Sequence, residues 1–194
     1  IYNSRSSSQF TPAAKERFVF SMGRIWDEAK NVRLLVDAAT GIKYPIRIAG
    51  ENQFQNNRVD AAHSNVTYLG KLASTEVAEQ LSKASLYVLP AKYEPFGLSV
   101  LEAALSGCTL VLGKIDSLQE LWEGCAVFVD THDTDNLAAT VNYLMRNDAV
   151  RSRYAEKAHV RARYFSPDRM AANYFETYQQ LLQEHAPVIE QQNI

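Results

Sequence analysis

The feature that most constrains this chain is a repeated alternation. Short runs of branched and aromatic residues, each stopped by glycine or proline, take turns with longer stretches of helical period. Residues 18–22 (FVFSM) stop at Gly23, 45–49 (PIRIA) at Gly50, and 66–69 (VTYL) at Gly70. The runs 86–89 (LYVL) and 109–112 (TLVL) stop at Pro90 and Gly113, and 126–129 (AVFV) is the last. Between them, Val32, Leu35, Val36 and Ala39 share one helical face, with Gly41 placed to end it. A second helix starts near Ser74, the expected N-cap, and buries Val77, Leu81 and Ala84. Further helices are expected over 98–106 and 118–122. Strands this continuously apolar belong in a parallel sheet covered on both faces, which makes the fold α/β, doubly wound, with about six strands. After Asp130 the pattern is wholly helical: Leu137, Val141 and Leu144 form one stripe, and another helix covers 149–164. Pro167 opens a last helix whose Met170, Tyr174, Tyr178 and Leu181 read as a packing stripe.

The chain of 194 residues divides into a polar linker or edge segment (1–17), the α/β body (18–165) and a C-terminal helix and tail (166–194). It opens at Ile1 without a methionine or an apolar signal core, so it is expected to be a piece of a longer protein. With 46% hydrophobic residues it can bury a core without disulfides. A net charge of −2 gives no general attraction to nucleic acid or anionic lipid. No apolar run approaches the ~20 residues of a membrane span. Cys108 and Cys125 suit small buried positions in a reducing cytoplasm better than a disulfide or zinc framework.

In sheets of this kind, ligands bind beyond the carboxyl ends of the strands at the point where strand order reverses. The loops that follow the strands therefore carry the functional candidates. The first, Gly23-Arg24-Ile25-Trp26-Asp27-Glu28-Ala29-Lys30, sets two cations six positions apart at a strand-to-helix junction. A diphosphate would use such a pair, with a forked guanidinium for two oxygens and a mobile ammonium beside it. Surface ion pairs with Asp27 and Glu28 would explain it equally well. The fourth loop, Tyr93-Glu94-Pro95-Phe96-Gly97-Leu98-Ser99, runs into a helix carrying Glu102. Main-chain N–H groups of Gly97, Leu98 and Ser99 at the helix start would suit a phosphate, with Glu94 and Glu102 flanking it toward sugar hydroxyls. The plainer reading has Glu94 capping the helix and Glu102 solvated. The glutamate pair carries little weight as glycosidase machinery, because nothing nearby supports a general acid. No phosphate-loop or dinucleotide fingerprint occurs, no nucleophile elbow, and His63, His132, His159 and His185 lack metal-ligand spacing.

Together these loops resemble the C-terminal domain of retaining, nucleotide-sugar-dependent glycosyltransferases of the GT-B fold, family 4 (glycosyl transferases group 1). The segment from Glu94 to Ala103 (EPFGLSVLEA) is similar to the family's E-x-F-G-x-x-x-x-E-A signature, and Gly23-Arg24 with Lys30 to its paired diphosphate cations. Ser106-Gly107 and the block from Ser117 to Gly124, containing Glu120, resemble the next two conserved segments. The likeness covers nearly the whole chain, with departures at Leu98-Ser99 and Cys108-Thr109-Leu110.

The resemblance implies a Rossmann-like domain that is half of a GT-B enzyme, acting without a metal or other cofactor on a nucleoside diphosphate sugar. It implies that Arg24 and Lys30 neutralise the diphosphate and that Gly97, Leu98 and Ser99, beside Phe96, bind phosphate. Glu102 would hold the ribose hydroxyls, and Glu94 would contact the transferred sugar. Gly70, Lys71 and Leu72 would border the base, and Gly23 and Gly50 would line the interdomain cleft. Transfer of a hexosyl group to a glycan or lipid-linked acceptor would need an N-terminal acceptor-binding domain, absent here and the source of any membrane contact. Alternatives are a non-catalytic nucleotide-sugar-binding module and a GT-B sugar-nucleotide epimerase.

Overall fold

A computed structural model describes residues 1–51 and 63–184. Six strands form one sheet: β1 (Glu16–Met22), β2 (Ile46–Ala49), β3 (Val66–Gly70), β4 (Ala84–Leu89), β5 (Thr109–Gly113) and β6 (Val127–Val129). All neighbours pair in parallel, in the order β3-β2-β1-β4-β5-β6. The helices are α1 (Val32–Asp37), α2 (Ser74–Lys83), α3 (Leu98–Leu105), α4 (Asp116–Trp122), α5 (Thr134–Arg146), α6 (Asp148–Ala162) and α7 (Pro167–Glu184).

The alternation of side chains along each strand divides the core in two. Phe18 and Phe20 of β1, Tyr87 and Leu89 of β4, and Leu110 and Leu112 of β5 join one cluster, roofed by α2, α3, α4 and α6. Val19, Leu86, Val88 and Val111 join the other, covered by α1 and α5. The sheet is therefore doubly wound, as the continuous apolar runs predict. β1 and β4 lie side by side, with Val19 opposite Leu86 and Phe20 opposite Tyr87. Their chains leave toward opposite edges of the sheet, which opens a crevice above this one junction.

Two expectations need correction. Ser74 is the first helical residue of α2, and Ala73 takes the cap position. The cap N–H of Ala73 is satisfied by the Glu76 carboxylate at 2.7 Å, so the acidic residue does what the hydroxyl was expected to do. Pro167 does open α7, but its stripe is not buried: no residue of α7 is buried among the described residues, Met170 is half-buried, and Tyr174, Phe175, Tyr178 and Leu182 are exposed. Helical spacing identified a real apolar face, but not whether the chain itself covers it. The plainer reading of Glu102 as a solvated carboxylate also fails, since it is only 8% exposed. The expected tail 185–194, with His185, lies outside the described residues.

The segment ahead of β1 packs against the body: Phe10 is buried in the first cluster. Lys15 threads inward, and its ammonium donates to the carbonyls of Leu81 (3.1 Å), Ser82 (2.8 Å) and Ser106 (2.6 Å). Burial pushes its pKa down. Cys108 is buried beside it, its thiol raised to about 11 by the same desolvation.

Candidate functional site

The loop after β1 is built from successive tight turns. Asp27 N–H donates to the Arg24 carbonyl at 3.0 Å and Lys30 N–H to the Asp27 carbonyl at 2.9 Å. The Asp27 carboxylate accepts from Ala29 N–H at 3.0 Å, an Asx contact that holds the turn. Asn31 then adopts a left-handed conformation (φ 54°), which asparagine tolerates better than most residues. Its side-chain amide donates to the carbonyls of Pro90 and Thr131, both at 2.9 Å, so one residue joins the loops after β1, β4 and β6. The Ala29 carbonyl accepts from Lys92 and Tyr93 N–H groups, at 2.9 and 3.2 Å. These bonds stitch the first and fourth loops together.

The result is a contact that sequence separation conceals. The Lys30 ammonium meets the Glu94 carboxylate at 2.5 Å, with both side chains largely buried. The other Glu94 oxygen accepts from Gly97 N–H at 2.9 Å and Phe96 N–H at 3.4 Å. Glu94 thus organises the turn into α3, while Ser117 donates to its carbonyl at 2.7 Å. Gly97 sits at the cap position with φ 81°, and a Cβ there would lie 2.9 Å from Val100 Cγ2. Its N–H is committed to Glu94. The N–H groups of Leu98 and Ser99 have no hydrogen-bond partner among the described residues, at the positive end of α3.

Arg24 behaves differently from Lys30. It pairs with Asp27 at 2.7 Å, its side chain is 60% exposed, and its guanidinium lies 5.4 Å from the Trp26 ring centre. The surface-pair reading therefore holds for Arg24 and fails for Lys30, whose partner is Glu94 and not Asp27 or Glu28. Across the cleft, β1 and β2 end in close backbone contact: a Cβ on Gly50 would fall 1.8 Å from the Gly23 carbonyl oxygen. Only glycine fits there.

Arg24, Lys30, Gly23, Gly50 and Glu94 line one cavity of about 600 Å³. So do Phe96, Gly97, Leu98 and Ser99, with Lys71 and Leu72 on the β3 side. Gly70 and Glu102 are not part of its lining. Gly70 closes β3 and accepts from Gly50 N–H at 2.8 Å. Glu102 lies one turn into α3, ion-paired with Arg5 at 2.6 Å. Asn3 also lines the cleft, a contribution that nothing in the sequence pattern signalled. Beneath the floor, burial raises the Tyr87 hydroxyl far above its ordinary pKa, so it stays protonated. It points back at the Met22 carbonyl, at 3.4 Å. Among the described residues, no three His, Cys, Asp or Glu side chains converge as a metal site would require.

A crevice at a strand-order switch, with Arg24, Lys30 and Lys71 on its walls and free N–H groups at a helix start, is suited to an anionic ligand. The family model described as glycosyl transferases group 1 matches residues 4–161, which includes every element from β1 to α5. The chain belongs to the glycosyl transferases group 1 family. Among relatives of this glycosyltransferase domain, glycogen synthase of Mycobacterium tuberculosis is 35% identical over 123 residues, covering 60% of this chain and 30% of its own. O-antigen chain mannosyltransferase B of Escherichia coli is 25% identical over 149 residues, covering 71% and 39%. In solved structures, sucrose-phosphate synthase of Thermosynechococcus elongatus superimposes with a TM-score of 0.83 at 22% identity, over 94% of this chain and 52% of that one. Anabaena HepE in complex with UDP and glucose gives 0.79 at 18% identity, over 93% and 56%. The chain thus spans about a third of the sequence relatives and about half of the solved structures. The Rossmann-like, GT-B-type domain that the loops resembled is the fold observed. Among the described residues, no helix is long and apolar enough to cross a membrane.

Proposed function

We propose that this glycosyltransferase domain is the donor-binding half of a retaining, metal-independent enzyme that transfers a hexosyl group from a nucleoside diphosphate sugar. The observation that carries the proposal is the convergence of Lys30, Arg24 and the unpartnered N–H groups of Leu98 and Ser99 in one cleft. Positive charge held before a reaction begins is what a departing diphosphate requires. Here it comes from two side chains and a helix start, which do the work a divalent cation would otherwise do.

In this reading Lys30 and Arg24 take the diphosphate oxygens, and Leu98 and Ser99 donate main-chain hydrogen bonds to phosphate. Lys71 and Leu72 border the base, with Gly70 supporting that wall from behind. Glu94, already holding Lys30, faces the transferred sugar. Glu102 accepts from the ribose hydroxyls. A second, acceptor-binding domain completes the cytoplasmic enzyme and delivers a glycan or lipid-linked acceptor. The names and lengths of the sequence relatives, which include a glycogen synthase and a mannosyltransferase, support this part of the reading.

The test is ligand-induced stabilisation of the 194-residue chain. At 100 times its Kd a nucleoside diphosphate stabilises the folded state by about 2.7 kcal/mol, which is several degrees of melting temperature. UDP, GDP or ADP should produce that shift in excess EDTA, and the R24A/K30A double variant should lose it. Absence of a shift with all three would overturn the reading.

A further inference from the structure

We propose that Arg5 is a positioning residue for the donor: by holding one oxygen of Glu102, it aims the other at the ribose of the nucleotide. The proposal rests on the donor-site reading above and extends it to a part of the chain that no cleft motif reaches.

Glu102 is a buried carboxylate, and its charge needs a partner. Among the described residues its only side-chain partner is Arg5, whose Nε donates to Oε1 at 2.6 Å. No hydrogen bond to Oε2 occurs among the described residues. One carboxylate oxygen is therefore fixed and the other is left to accept. This is the state in which a glutamate can take a sugar hydroxyl without first breaking a contact.

The Arg5 backbone is itself anchored, while its side chain is 45% exposed. Its N–H donates to the Phe165 carbonyl at 3.2 Å, and Ser4 reaches the Met170 sulfur at 3.5 Å. Tyr2 packs its ring edge-on against Phe165 at 5.6 Å and near Phe96 at 6.3 Å, while its hydroxyl donates to Glu120 at 2.5 Å. Residues 2–5 thus form a strap over the start of α3, α4 and the α6–α7 junction, with Asn3 facing the cleft. The strap converts distant packing into the orientation of one carboxylate. A guanidinium suits this role better than an ammonium, because its planar donors fix direction as well as charge.

Calorimetry on the 194-residue chain tests this. The probes are the nucleoside diphosphate that gives the thermal shift, its 2′,3′-dideoxy counterpart, and inorganic pyrophosphate. The wild-type chain should prefer the ribose form by ~10-fold or more, as expected for hydrogen bonds to a charged group. R5Q should reduce that preference to less than about threefold, leave pyrophosphate affinity unchanged, and match E102Q, with no further loss in R5Q/E102Q. R5K, which keeps the charge and serves if R5Q does not fold, should fall between. A wild-type preference in R5Q and R5K would overturn the role of Arg5, and so would a wild-type chain that binds both nucleotides equally. If neither the nucleotides nor pyrophosphate bind the wild-type chain, the donor-site reading fails first.

Discussion

Lys30 and Arg24 stand six positions apart in one loop, yet they occupy different physical worlds. Lys30 is buried against Glu94, which is in turn tied to the backbone entering α3. Arg24 lies out in solvent, balanced by Asp27 and leaning on Trp26. A buried pair is costly to break, because the survivor keeps its charge without water, whereas an exposed pair contributes little. The loop therefore combines a cation that is part of the fold with one that is free to be recruited. The first makes the site rigid, and the second can adjust to the ligand.

The largest effect should come from breaking the rigid half. K30A leaves Glu94 buried without its counter-ion and should cost about 3 kcal/mol in urea unfolding while eliminating nucleoside diphosphate binding. A loss below about 1 kcal/mol would mean that the Glu94 backbone contacts suffice alone. Next comes G50A, which forces the ends of β1 and β2 apart against a 1.8 Å collision. We expect a loss of about 2 kcal/mol in the same unfolding assay, within the range for strained backbone sites, and weaker binding through displacement of the loop that carries both cations. The smallest effect on stability belongs to R24A, which should change unfolding by no more than about 0.5 kcal/mol. It should nevertheless weaken nucleoside diphosphate binding by about tenfold, as loss of a charge-assisted hydrogen bond does. Equal stability losses in R24A and K30A would dissolve the distinction between them.

The sequence made the sheet legible because a strand buried on both faces must be apolar throughout, and residues 86–89 and 109–112 carry that signature without ambiguity. It made the cleft residues legible because a switch point draws function to the loops after β1 and β4. What it concealed are relations between distant positions. Nothing local to Lys30 indicates that Glu94, 64 residues away, is its partner. Nothing local to Glu102 points to Arg5, 97 residues earlier, which is why solvation stood as its plainer reading. The stripe on α7 shows the converse limit. Periodicity reports that a face is apolar, and burial depends on what stands opposite. The cap of α2 was missed for a smaller reason: Ser74 has the preferred side chain, but Glu76 satisfies the cap N–H from within the helix.

The ammonium of Lys15 is bound by the last turn of α2 and by the residue that ends α3. A positive charge at the carbonyl end of a helix is favourable, and here one charge serves two ends at once. The two helices flanking β4 consequently share a single stopper, and neither final turn can fray without loosening the other. A disturbance at the far end of α3 can thus be felt in α2, although no stretch of chain joins them at that end.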